Sequence, residues 1–88
     1  MNDSLGETIQ FSLEKEELLS NAHDVIMHVC RAMREKGYDP INQLVGYIVS
    51  GDPTYITSHN NARYLISRIE RDDLLEEFIG YYLEQKDR

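Results

Sequence analysis

Tryptophan is absent from this chain, cysteine occurs once, proline twice, and no apolar run approaches the 18 residues that would suggest a membrane span. Each scarcity removes a class of protein. A lone Cys30 excludes an intramolecular disulfide and a cysteine-based zinc cluster, and suits a reducing compartment. Basic residues are also scarce: nine Lys and Arg against sixteen Asp and Glu leave a net charge of -7 and a pI near 4.8. On average such a surface repels nucleic-acid phosphates and anionic lipid, so no nucleic-acid partner is expected without a locally basic face. The stretch from Met1 to Phe11 lacks the basic and apolar regions of a signal peptide. The expectation is a cytoplasmic protein with no membrane insertion.

What the chain does have is 41% hydrophobic residues in 88. That composition folds, but as one small domain whose core is marginal, and self-association is an obvious route to more burial.

The densest backbone punctuation lies between Lys36 and Ile56, which holds both prolines and three of the five glycines. Each proline follows an aspartate, in Asp39-Pro40 and Asp52-Pro53. Aspartate at an N-cap accepts a bond from an orphan backbone N–H, and proline at the first helical position has none to lose. Gly37 therefore ends one helix, Asp39-Pro40 starts a short one through Ile41, Leu44, Val45 and Ile48, Ser50-Gly51 ends that, and Asp52-Pro53 opens a tight turn.

Residues 1–11 are polar and aperiodic and read as a flexible tail, leaving 12–88 as a single helical domain. Phe11 before Ser12, followed by Glu14, Glu16 and Glu17, marks a helix start near Leu13. The stripe Leu18, Leu19, Ala22, Val25, Ile26, Val29, Cys30 and Met33 carries that helix on to Gly37. Its length would be roughly 35 Å, enough for part of the stripe to face a second copy. Beyond the corner, Thr57 or Ser58 can cap a helix bearing Ala62, Leu65, Ile66 and Ile69. Asp73 and Glu76 have capping-box spacing, which places a break near Arg71 and a last helix from Leu74 to Glu84, with Gln85 to Arg88 fraying. No segment alternates as a strand does. The fold class is all-α, a compact bundle of about five helices: a long N-terminal helix, short central helices and a C-terminal helix.

Catalytic or metal-binding constellations are not visible. His23 and His28, five apart on one helix, point about 140° away from each other, and no Glu-x-x-His pair of the di-metal bundles occurs. Cys30 lies in the apolar stripe, where a cysteine packs as a small hydrophobe, and His59 beside a helix start reads as a surface or capping residue. The carboxylates cluster in first helical turns, where dipole and capping roles account for them. No metal, cofactor or enzymatic activity is therefore expected. Tyr47, Tyr55, Tyr64 and Tyr82 suit the edge of a core or an interface. Arg63, Arg68 and Arg71 form a locally basic stretch, read either as solvated ion pairing or as a docking face for an acidic or phosphorylated partner. Thr8 and Ser4, in the tail, are accessible hydroxyls at which a phosphate would add about -1.5 to -2 charges.

The run Lys36-Gly37-Tyr38-Asp39-Pro40-Ile41-Asn42-Gln43, with Val45-Gly46-Tyr47, Ser50-Gly51-Asp52-Pro53, Tyr55-Ile56, Asn61-Ala62-Arg63 and Glu70-Arg71-Asp72, resembles the IreB family of small bacterial regulatory phosphoproteins. The resemblance covers nearly the whole chain. It implies a helical homodimer of low-GC Gram-positive bacteria with no known enzymatic activity. Such a protein is a cytoplasmic substrate of membrane Ser/Thr kinases with extracellular PASTA domains, and of a cognate phosphatase. In studied members it controls cell-wall synthesis and β-lactam tolerance. In some it governs the proteolytic machinery that acts on a peptidoglycan-precursor enzyme, and phosphorylation relieves that control. The family's acceptor threonine matches Thr8 in Glu7-Thr8-Ile9-Gln10-Phe11, with Ser4 a second candidate. The family also tends to carry arginine around the fourth helix, which Arg63, Arg68 and Arg71 match as candidates for partner docking, whereas Ser58 and Ser67 stand where a basic residue is common and Thr57 where proline is common.

A rival reading is a helix-turn-helix nucleic-acid binder, since a short helix, a turn and a basic helix follow one another from Pro40 to Glu70. The net charge opposes it.

Overall fold

A computed structural model describes residues 21–86, so Ser4, Thr8 and the expected helix start near Leu13 lie outside the described residues. Four α-helices order the described residues: α1 (Ala22–Glu35), α2 (Pro40–Ser50), α3 (Ala62–Ser67) and α4 (Arg71–Lys86). Two single 3-10 turns, Pro53–Tyr55 and His59–Asn61, sit between α2 and α3. The described residues contain no strand, as the sequence pattern requires.

Helix α1 corrects the expectation of one helix running from Leu13 to Gly37. Asn21 is extended (φ -90, ψ 157), and its side chain accepts the Asp24 N–H at 2.9 Å. A cap of this kind satisfies an orphan donor and fixes the start at Ala22. The 14-residue α1 is therefore about 21 Å long rather than 35 Å. Its other end behaves as read. Gly37 is left-handed (φ 84), and the Tyr38 N–H reaches back to the Met33 carbonyl at 2.8 Å, closing a Schellman turn.

The central corner also follows its sequence. Asp39 caps α2 by accepting the Ile41 N–H, and Asp52 caps the next turn by accepting the Thr54 N–H. Gly51 ends α2 at φ 76, with its N–H on the Tyr47 carbonyl at 2.7 Å. The Gln43 side chain donates to the Tyr55 carbonyl at 2.8 Å. The Tyr55 ring lies so close over Gly46 that an added Cβ there would collide with it. Glycine at this position lets the turn fold flat onto α2.

Two further boundaries shift. Thr57, not Ser58, provides the cap after the corner, accepting the His59 N–H at 3.2 Å. α3 itself begins only at Ala62, because Asn60 (φ 53) and Asn61 (φ 63) are both left-handed. Asparagine tolerates that conformation better than other non-glycine residues. Helix α4 starts at Arg71, three residues before the expected Leu74. The Leu74 N–H bonds the Glu70 carbonyl, which puts Asp72 and Asp73 inside the first turn, where the helix dipole favours them. Gln85 and Lys86 remain helical.

The core forms where α1 meets α3. Val25, Val29, Ala32 and Met33 of α1 pack with Ala62, Leu65 and Ile66 of α3, and Ile56 fills the space beneath the turn. Leu44 and Tyr47 close it from α2, and Leu74 from α4. Cys30 packs against this cluster as a half-buried hydrophobe, and burial raises its thiol pKa despite the lowering influence of nearby Arg34.

Candidate functional site

The three arginines singled out from the sequence are placed by different elements, and each has a partner within the chain. Arg63, half-buried on α3, donates from Nε to the Ile56 carbonyl at 2.8 Å. Arg68 lies over the Tyr64 ring at 5.7 Å from its centroid, within cation–π range. Arg71 donates to the Ile48 carbonyl at 2.8 Å, at the C-terminal end of α2. There its charge meets the negative end of the helix dipole and ties α4 to α2. Arg63 borders a recess of about 370 Å³ shared with Pro53, Ser58, Asn61, Tyr64 and Ser67, which Arg68 and Arg71 do not line. Asp52 lies near Arg63. The Thr54 backbone N–H, the Thr54 hydroxyl and then Arg63 hold its carboxyl below the usual aspartate range.

The histidines act as internal fasteners. His28 Nε2 meets the Asn60 carbonyl at 2.7 Å, and a carbonyl only accepts, so Nε2 carries the proton. His59 Nε2 meets the Glu35 carboxylate at 2.8 Å. Both contacts pin α1 to the left-handed Asn60-Asn61 turn. His23 faces Glu77 at 4.0 Å. Among the described residues no group of three His, Cys, Asp or Glu side chains could hold a metal ion, and no described helix is long and apolar enough to cross a membrane.

One surface was not foreseen. Ile41 and Val45 belong to the apolar pattern expected of α2, yet they are exposed, at 72% and 56%, as is Val49 at 79%. On α4, Leu75, Ile79 and Leu83 are also exposed. Between the two helices lies a groove of about 390 Å³ whose lining is apolar, including Ile41, Val45, Val49, Leu75 and the half-buried Phe78. The available signal was an excess: α2 carries more apolar residues than one face can bury, and none of its side chains is a formal charge.

The helix-turn-helix reading fares poorly against the geometry. Helix α3 has six residues, under two turns, and its arginine is already bonded to a carbonyl within the chain.

Residues 6–84 match the IreB regulatory phosphoprotein family. The chain belongs to the IreB family. Among its relatives, a UPF0297 protein of Acetivibrio thermocellus is 54% identical over 82 residues, covering 93% of this chain and 90% of the relative. A UPF0297 protein of Ruminiclostridium cellulolyticum is 51% identical over 80 residues, covering 91% and 90% respectively. The IreB match takes in the corner, the arginine positions and the α2–α4 surface, and it begins ahead of Thr8. The family is one of regulatory phosphoproteins.

Proposed function

We propose that this chain is a non-enzymatic, cytoplasmic regulatory phosphoprotein and a homodimer, phosphorylated at Thr8 by a membrane Ser/Thr kinase with PASTA domains and reset by a cognate phosphatase. Through protein contacts it controls peptidoglycan synthesis and tolerance of cell-wall antibiotics, acting on the proteolytic machinery that turns over a peptidoglycan-precursor enzyme. The observation that carries this reading is membership of the regulatory phosphoprotein family along residues 6–84. Ser4 is a secondary acceptor.

Arg63, Arg68 and Arg71 are the proposed docking residues. Arg63 and Arg71 each make one hydrogen bond within the chain and Arg68 rests over the Tyr64 ring, and a guanidinium has five N–H donors, so each keeps others for a carboxylate or phosphate. A phosphate at Thr8 adds negative charge to an already acidic chain. It acts either by drawing the tail to these arginines or by repelling an acidic partner.

Treating the protein with its cognate kinase and weighing it by mass spectrometry tests the site. Thr8→Ala loses the Thr8 phosphate and keeps at most the one on Ser4; undiminished incorporation in the variant would sink the assignment.

A further inference from the structure

We propose that the recess beside Arg63 is a phosphate-binding subsite and that its occupant is the phosphate of Thr8 in the same chain. The proposal rests on the reading of Thr8 as the acceptor, and it deepens that reading by choosing capture of the tail over repulsion of a partner.

The recess, about 370 Å³, is lined by Pro53, Ser58, Asn61, Arg63, Tyr64 and Ser67, with no carboxylate among them. Arg63 is half-buried and its Nε is bonded to the Ile56 carbonyl, which steadies the guanidinium and leaves its terminal nitrogens to donate to an outside acceptor. The Ser58 hydroxyl and the Asn61 amide cap no helix. Neither they nor the Tyr64 hydroxyl have a hydrogen-bond partner among the described residues. One anchored cation and three open side-chain donors therefore border one space. A phosphate monoester, with three acceptor oxygens and about -1.5 to -2 charges, uses such a set more fully than a carboxylate does. Arg68 lies over a ring, Arg71 is bonded to α2, and neither lines this recess.

Charge and reach select the occupant. The chain carries -7, so most of its surface repels a phosphate, whereas between His59 and Arg71 three arginines are set against one carboxylate, Glu70. Asp52 feels the charge of Arg63, and its carboxylate is engaged by the Thr54 N–H and hydroxyl. Thirteen residues lead from Thr8 to Asn21, a tether of at most roughly 45 Å. The turn beside the recess is fastened to α1 at His28 and Glu35, about 10 and 21 Å along the helix from Asn21. The tether covers that distance without being fully extended. It presents the phosphate at an effective concentration on the order of millimolar, enough to fill a shallow site.

Phosphorus-31 and proton–nitrogen NMR of the full 88-residue chain, with phosphothreonine incorporated at position 8 during translation, test this without relying on any kinase. In an isolated peptide of residues 1–20 the phosphate should titrate near pH ~6. In the full chain its midpoint should lie about 0.5 lower, a roughly threefold preference of the recess for the dianion, and the Arg63 Nε–H and Asn61 amide resonances should move. Arg63→Lys should remove most of that shift, since an ammonium lacks the fork that serves carbonyl and phosphate together. Should circular dichroism show that this variant disturbs folding, Ser58→Ala with Tyr64→Phe removes two exposed hydroxyls instead and should about halve the shift. A midpoint equal to that of the peptide would overturn the capture, while Thr8 as acceptor stands or falls by mass spectrometry. A lowered midpoint that both variants leave in place would overturn the recess as its seat. Inorganic phosphate should move the same resonances of the unphosphorylated chain only at millimolar levels, and saturation at micromolar phosphate would overturn the tail as occupant. Adding unphosphorylated wild type to phosphorylated Arg63→Lys should not restore the shift; its return would overturn capture within one chain.

Discussion

Ile66 and Val49 are both branched aliphatic residues on amphipathic helices, yet Ile66 is 0% exposed and Val49 is 79% exposed. They stand for the two halves of the molecule. In the α1–α3 half, apolar side chains are sealed against one another, and polar contacts from His28, His59 and Glu35 hold the connecting turn across the seam. In the α2–α4 half, apolar side chains of the same kinds face outward, and the main polar tie between the helices is Arg71 on the Ile48 carbonyl. The contrast separates two uses of hydrophobic pattern. One half uses it to fold, and the other has more of it than folding consumes.

The sharpest way to break this contrast is a pair of truncations. Ile66→Ala should cost about 3 kcal/mol in urea unfolding, since it removes transfer energy and leaves a cavity. In dilute protein Val49→Ser should change stability by less than ~0.5 kcal/mol, as surface substitutions do. Equal costs would mean that the α2 ridge is core after all. A smaller effect tests the tie between the halves. Gly51→Ala puts a side chain at φ 76, with its Cβ 2.9 Å from the Arg71 guanidinium, and should cost about 1–2 kcal/mol. Its loss should appear in the melting of α2 and α4 before that of α1.

The mildest prediction concerns acid. Asp52 has its folded pKa depressed by the Thr54 N–H, by the Thr54 hydroxyl and by Arg63. A depressed carboxylate contributes stability that is present above its unfolded pKa of about 3.9 and is lost as pH falls through the lower folded value. Asp52→Asn should therefore flatten the acid limb of a melting-temperature profile below pH ~4 and leave the slope at neutral pH unchanged.

Much of this was legible in the sequence where local chemistry decides the outcome. Asp39-Pro40, Gly51 and Asp52-Pro53 fix the corner through bonds between near neighbours, and the structure shows those bonds. The Asn21 cap was hidden by the apolar stripe, because Leu18, Leu19 and Ala22 keep helical spacing across it and periodicity does not register a broken backbone. Asn60-Asn61 delays α3 through two left-handed residues that are held in place by His28 and Glu35 from far away in the chain. No local pattern predicts such a contact. The α2–α4 face was obscure for another reason: a period shows that residues share a side, and the partner on that side determines whether it is inside.

Helix α4 has a consequence that is best stated in time. Leu74, near its base, is the buried side chain among its described residues; Phe78 one turn on is half-buried, and the positions beyond it are exposed. The opening free energy of successive turns should therefore fall from Leu74 toward Lys86. Amide protons near Leu74 would exchange only when the whole domain unfolds, while those past Gly80 would exchange through brief local fraying. The exchange rate along this single helix would thus grade from the lifetime of the whole fold to that of one fraying turn.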